Sequence, residues 1–484
     1  MQGDRTVQRE VVVRRRGARS WYEGRAAPTG MARCQGAAPY ENTAPRGARE
    51  RSAVNITIDG LAALRLIRAV RAQRIEGLGP EVLSLRTGLS APVFAEGKRW
   101  SAKRLSTALA RFGDLCPFPT KRPLDIAVPA KEKRLRISGI KNHVYGHPLP
   151  KNAFVDLGCG VSVAGPELLF VEMGVFMQPA VQLMLGLELC GRFSRDPMDP
   201  RDGEVSFNIE PATTPEAILS YVGACRGMAG LRQTRELAPL VCAGAWSPTE
   251  SLIAALALLP YHHLGYNMAP LTLNPRVRVS DPCADAGSSA VPVDIHTNAT
   301  HSRVPDILFG KTGVGLNYDG GVHLELEQIA HVAAEASLAT TETPSAHGVG
   351  SPTDGPRASN TVVASQAVQA AIRQVRDKYV DDRRRDRDLW SQGLAVLPVT
   401  REDLYQKGGL DTLMMRVIDT IEHLAKRKDT ARFEVPASPA LARMRQRLIW
   451  MLLPGARGRQ LAREYERYMS TPHGHIEEVT IVFV

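Results

Sequence analysis

At 484 residues the chain is long for one domain and suits two or three. Its hydrophobic share, 44%, is ordinary for a globular protein, and its most apolar stretch, 168–189, is interrupted by Glu172, Pro179 and Glu188, which argues against a membrane span. The net charge of +11 invites a nucleic-acid partner, but residues 1–53 hold eleven Arg against five Asp or Glu, so +6 of it sits there and the rest is only mildly basic. Seven cysteines with no CxxC pair fit a reducing, cytoplasmic compartment and argue against a disulfide framework or zinc knuckle. The N-terminal arginines precede no apolar segment, so no secretory signal is expected.

Residues 1–53, rich in Arg, Ala and Gly without periodicity, read as a disordered basic tail, with Met31 as an alternative start. A helix is expected after Asp59, its candidate N-cap, with Leu61, Leu64, Ile67 and Val70 on an apolar side. Arg65, Arg68, Arg71 and Arg74 recur every third residue as a basic stripe that could lie along a nucleic-acid backbone or could simply be solvated. Lys98 to Arg111 is a second basic segment. Strands are expected at Leu124 to Val128, Leu135 to Ile140, His143 to Tyr145, Phe154 to Leu157 and Val161 to Val163, separated by Gly and Pro. His143 and His147 have no acidic or cysteine neighbour in sequence and read as packing or surface histidines.

Helices then follow at Pro166 to Met173 and Pro179 to Cys190, each with Pro at its first position, and another opens at Thr213-Thr-Pro-Glu. Ser247-Pro248-Thr249-Glu250 has the spacing of a capping box, which alone could account for Glu250. Short strands at Val277 to Val279 and Val291 to Ile295 lead to a hairpin of Val304 to Phe309 and Val314 to Asp319. Alternation places Asn317 and Asp319 on one side of the second strand, and the hairpin brings Asp306 towards them, with His323 just beyond. Such oxygen and nitrogen donors at a strand end are raw material for a divalent cation site, although Asn-x-Asp-Gly is also ordinary turn chemistry. After it come an amphipathic helix, Leu324 to Leu338, a Thr-, Ser- and Gly-rich insertion at 340–361, and a long helix from Val362. A strand at Leu394 to Val399, helices from Arg401 and Leu410, and a basic helical end at Pro439 to Met469 complete the chain, with His473 and His475 read as exposed.

From Ser247 to Leu424 this order resembles the endonuclease-like domains related to very-short-patch repair nucleases, in the PD-(D/E)xK superfamily. Four features carry the resemblance. Pro305-Asp306 opens the hairpin strand. Asn317-Tyr-Asp-Gly with His323 matches an E-x-D-G-x-x-H pattern except at its first residue. Asp382, Arg385, Leu389 and Gly393 match D-x-x-R-x-x-x-L-x-x-x-G, and Val396 to Thr400 fits the strand that follows. Residues 56–245, above all Pro123 to Leu157 and Val161 to Phe170, resemble the C-terminal part of abortive-infection antitoxins and related bacterial regulators. The expected architecture is α/β: an N-terminal α+β domain at 54–245, a restriction-endonuclease-like core of mixed sheet flanked by helices at 246–428, and a helical extension at 429–484.

The resemblance implies a metal-dependent phosphodiester hydrolase acting on DNA, with Mg²⁺ or Mn²⁺ as cofactor. Asp306 would be the first ligand and Asp319 a second ligand or water-orienting group, with Asn317 completing the metal set. His323 would be a ligand or proton shuttle, and Glu250 would reach the metal through water. Arg385 would sit near the phosphate or pair with Asp382, and Lys311, in the turn, would be a further nucleic-acid contact. Asn317 stands where the family carries Glu; it brings no charge and cannot act as a base. That departure keeps a second reading open: a non-catalytic DNA-binding or protein-binding regulator that retains the fold.

Overall fold

β1 (Ile56–Ile58) is buried on both faces. A strand so covered needs partners on both edges for its amides. It pairs antiparallel with β2 (Leu124–Val128) and parallel with β5 (Val161–Ala164). β3 (Ile140–Val144) and β4 (Phe154–Asp156) complete a five-stranded mixed sheet ordered β3-β2-β1-β5-β4. The computed structural model describes residues 55–86, 88–94, 100–118, 123–279, 301–319, 357–426 and 438–469. All of them belong to one compact unit, Ser52–Val484. The basic tail, the strand at 291–295, the helix at 324–338, residues 340–356, His323, His473 and His475 lie outside the described residues.

The strand expected at Leu135 to Ile140 does not form; pairing starts at Ile140 instead. Asn142 accounts for this locally. Its Oδ1 accepts from Leu135 N–H at 2.7 Å and its Nδ2 donates to Leu135 O at 3.0 Å, so that backbone is satisfied by a side chain rather than by a ladder.

α1 (Gly60–Arg71) follows β1, and α2 (Ala102–Leu109) carries part of the second basic segment. The expected basic stripe on α1 is corrected by burial. Arg68 is 4% exposed and Arg71 0%. Their partners come from α4 (Pro179–Leu189), which packs in the core with α3 (Pro166–Met173). Arg68 Nε and Nη2 each donate to a Glu188 carboxylate oxygen at 2.9 Å. Arg71 donates to the carbonyls of Glu188 and Gly191, at the end of α4, and to that of Glu210, at 2.8–3.2 Å. Arg65 is half-buried, close enough to Cys116 to act on its thiol. Only Arg74 of the four is solvent-exposed, and it pairs with Asp196 at 2.5 Å. Arg68 and Arg71 are therefore unable to meet a phosphate backbone.

After β6 (Phe193–Ser194) and β7 (Ser206–Phe207), which pair together, come α5 (Pro215–Ala224), α6 (Leu231–Leu237) and α7 (Pro248–Leu258). α7 packs on α4, so the apolar core passes without a break from the N-terminal sheet into the region expected to be endonuclease-like. There a four-stranded mixed sheet is built from β8 (Thr272–Leu273), β11 (Ile307–Leu308), β12 (Val314–Asp319) and β13 (Ala395–Thr400). Its order is β13-β12-β11-β8; β12 and β13 are parallel and the other pairs antiparallel. β9 (Val277–Val279) and β10 (His301–Arg303) form a separate antiparallel pair.

α8 (Arg357–Ser391) precedes β13 and packs against it. α9 (Arg401–Tyr405) starts in a full capping box between Thr400 and Asp403. α10 (Gly409–Leu424), α11 (Pro439–Leu452) and α12 (Ala456–Met469) follow. The C-terminal helices join the core: Arg445, 0% exposed, donates to Asp411 at 2.5 Å and to Leu264 O at 2.8 Å, with its guanidinium 4.4 Å from the Tyr266 ring centre. Among the described residues no helix is long and apolar enough to cross a membrane.

Removing one member of a buried pair strands the other charge. Arg68→Ala should therefore lower unfolding free energy by about 3 kcal/mol in urea titrations, the low end for a buried pair because Glu188 keeps Arg195 beside it. Arg74→Ala, which loses an exposed pair, should cost about 1 kcal/mol or less. Equal effects would mean that the α1–α4 pair does not carry the packing assigned to it.

Candidate active site at the end of the mixed sheet

α7 begins as its sequence requires: Ser247 Oγ accepts from Glu250 N–H at 3.2 Å. The reciprocal half of the box is shifted by one residue, because Glu250 Oε2 accepts from Trp246 N–H at 3.1 Å. Glu250 Oε1 accepts from Asn274 Nδ2 at 2.6 Å, and that same nitrogen donates to Gly244 O at 2.8 Å. Asn274 has φ of 48°, a left-handed conformation that Asn tolerates, and its N–H donates to Asp306 O at 2.9 Å. It thus joins the head of α7 to the start of β11. The sequence signal for it was faint: an Asn-Pro step after a short strand marks a turn, not the side chain's destination.

The hairpin forms with Ile307 opposite Leu316 and Leu308 opposite Gly315. β12 has the expected bounds, whereas the first strand is confined to two residues. Asp306 is clamped across the open end. Its N–H donates to Asn317 Oδ1 at 3.1 Å, and its Oδ2 accepts from Tyr318 N–H at 2.6 Å. Asn317, 3% exposed, is therefore a strut that positions Asp306. Tyr318 is held towards α7 by a side-chain hydrogen bond with Thr249, and burial raises its phenol pKa.

The cluster is electrostatically connected. Burial first, and Asp306 second, push Glu250 up to about 8. Burial also raises Asp306; the Tyr318 N–H and Arg385 oppose that shift, and Asp319 adds to it. Arg385 reaches the cluster from α8 while its Nη2 pairs with Asp382 Oδ1 at 3.1 Å. Three buried polar atoms here make no hydrogen bond: Asn274 Oδ1, Asn317 Nδ2 and Arg385 Nε.

Of the residues expected at the site, Glu250, Asp306, Asn317, Asp319 and Arg385 are brought together. His323 lies outside the described residues. Lys311 is exposed in the turn, at the opposite end of the hairpin from Asp306. Four residues of strand at about 3.3 Å each separate the two ends, too far for a lysine side chain to bridge. Asp306, Asp319 and Glu250 are also looser than a closed ligand trio. Among the described residues, two other groups hold three ligand atoms within 4.8 Å of one another: Asp59 with His143 and Glu172, and Glu236 with His262 and His263. The donors at the hairpin are all oxygen, and the unpaired Asn274 Oδ1 adds a fourth to the three carboxylates, a set suited to a hard cation such as Mg²⁺ or Mn²⁺.

No family model, characterised protein or solved structure matches the chain.

Glu250 generates a test with a definite sign. Its folded pKa of about 8 exceeds the unfolded value near 4.5, so folding favours its protonated form. Below pH 4.5 both states hold the proton and there is no penalty. As pH rises from there to 8, only the unfolded state gives it up, and stability falls. Glu250→Gln should remove this loss, with the advantage over wild type growing across that window to on the order of 4 kcal/mol. Denaturant titrations at pH 5 and pH 8 read it directly; an advantage independent of pH would place the Glu250 carboxyl in a solvated setting.

Proposed function

We propose that the chain is a metal-dependent nucleic-acid phosphodiester hydrolase of DNA-endonuclease type, with a restriction-endonuclease-like core at 246–428 related to very-short-patch repair nucleases. The carrying observation is the meeting of Glu250, Asp306 and Asp319, from three elements, at the end of β12 where it runs parallel to β13. The order of helix, antiparallel strands, long helix and parallel strand supports the reading.

In it, Asp306 and Asp319 hold Mg²⁺ or Mn²⁺, and Glu250 acts through a bound water. When bound, the cation offsets charge on the scissile phosphate and makes a coordinated water more acidic. Asn317 fixes the Asp306 backbone, and Asn274 fixes Glu250 relative to β11. Arg385 supplies positive charge beside Asp306, on the side from which a phosphate would be neutralised. DNA is the proposed substrate, with the cytoplasm as the compartment.

A second reading, a non-catalytic DNA-binding or antitoxin-like regulator, is favoured by one observation: Asn317 spends its amide oxygen on Asp306 N–H where the resembled family has a carboxylate. One experiment separates them. Purified protein with Mn²⁺ or Mg²⁺ should nick or cut plasmid DNA, and EDTA or Asp306→Ala should bring cleavage to background while DNA binding persists. Binding with a steep salt dependence and no cleavage under any divalent ion would leave the regulator reading standing.

A further inference from the structure

We infer that Asp59, His143 and Glu172 form a second metal site, in the N-terminal sheet, for a divalent first-row transition ion of the Zn²⁺ or Mn²⁺ class. His143, expected to be a packing or surface histidine, has acidic partners in the fold. Asp59 follows β1 at the N-cap position of α1, His143 lies in β3, and Glu172 lies in α3. One ligand atom from each falls within 4.8 Å of the other two.

Both ring nitrogens of His143 face carboxylates. Its Nε2 lies 3.0 Å from Asp125 Oδ1, which leaves Nδ1 facing Asp59 Oδ2 at 2.9 Å. Asp125 is in turn 3.5 Å from Lys141 Nζ. The Tyr145 hydroxyl closes the other side, 2.8 Å from Asp59 Oδ2 and in contact with Glu172 Oε1. Gly60 has φ of 55°, and a Cβ there would come within 3.1 Å of the Asp125 carboxylate, so the turn after Asp59 is held close to this cluster by a residue without a side chain.

Two observations point to an ion rather than to a finished hydrogen-bond network. First, Asp59 Oδ1 and Glu172 Oε2 are buried, in residues 0% and 8% exposed, and meet no protein donor; only an ion or a proton shared between the two carboxyls satisfies them there. Two unmatched carboxylate oxygens are costly to bury. Second, three carboxylates (Asp59, Asp125 and Glu172) share one imidazole and one partly exposed lysine. One nitrogen and two carboxylate donors suit Zn²⁺ or Mn²⁺ better than Ca²⁺ or Mg²⁺, which favour all-oxygen sets. His143 retains 20% side-chain exposure, the route by which an ion arrives.

The test is metal binding by the EDTA-treated full chain, read by calorimetry with Zn²⁺ and by elemental analysis after dialysis. Asp306→Asn with Glu250→Gln removes the hairpin site and should leave one Zn²⁺ bound per chain. Adding Glu172→Gln should abolish that binding, and Asp125→Asn should weaken it about 10–100-fold. Should Glu172→Gln fail to fold, pulsed electron paramagnetic resonance of Mn²⁺ on the folded hairpin double variant should still show one imidazole nitrogen coupled to the ion. Failure of the double variant to retain any ion, or Zn²⁺ affinity unaltered by Glu172→Gln, or no nitrogen coupling, would overturn the site and leave a proton-sharing network in its place. Loss of DNA cleavage alone bears on the hairpin and not on this site.

Discussion

The ion pair of Arg68 and Glu188 fixes α4 to α1, and it is α4 that packs on α7 and so links the N-terminal sheet to the rest of the core. Both groups are desolvated, so Arg68 is tolerable only beside Glu188, which also accepts from Arg195 N–H at 3.0 Å with the Arg195 guanidinium 3.8 Å away. Glu188 sits at the end of α4, and Arg71 adds hydrogen bonds to carbonyls at that end. α4 is thereby fixed to α1 and, through it, to the central strand β1. α4 also packs on α7, whose first turn presents Glu250. The placement of a carboxylate at the mixed sheet therefore traces back through α4 to an arginine on α1. Burial lowers Arg71 only to about 10, so it remains charged at neutral pH and keeps this role.

Much of the fold was legible where local chemistry decides it. Proline at the first helical position set the starts of α3, α4, α5 and α7, with a hydroxyl just before it in α5 (Thr214) and α7 (Ser247). Alternation up to an Asn-x-Asp turn set both ends of β12. What failed was whatever depends on distant partners. A three-residue arginine repeat has the same period whether it meets water or a glutamate 120 residues away. His143 looked isolated because its acids stand 84 and 18 positions earlier. Asp59 does occupy the N-cap position of α1, but its side chain makes no capping bond and turns to His143 and Tyr145 instead.

The candidate active site divides along the same line. Glu250, Asp306 and Asp319 were visible as residue types at suitable spacing, and a capping box announced where Glu250 would stand. Asn274 was invisible, because its role arises from three contacts made by a single turn to Gly244, Glu250 and Asp306. No periodicity encodes such a bridge.

The departure at Asn317 has an electrostatic logic. Asp306 is already held above the usual carboxylate range by burial and by Asp319, with Arg385 and one backbone N–H in opposition. Glu250 beside it is pushed up to about 8. A fourth acid at position 317 would add like charge to a desolvated cluster served by one guanidinium, a state that only a bound cation could hold together. The amide avoids that requirement. It accepts from Asp306 N–H as a carboxylate would, yet leaves the bare sheet free of the extra charge. Under the hydrolase reading, the cost is weaker attraction for Mg²⁺; under the regulator reading, the same substitution lets the fold persist without an ion at all.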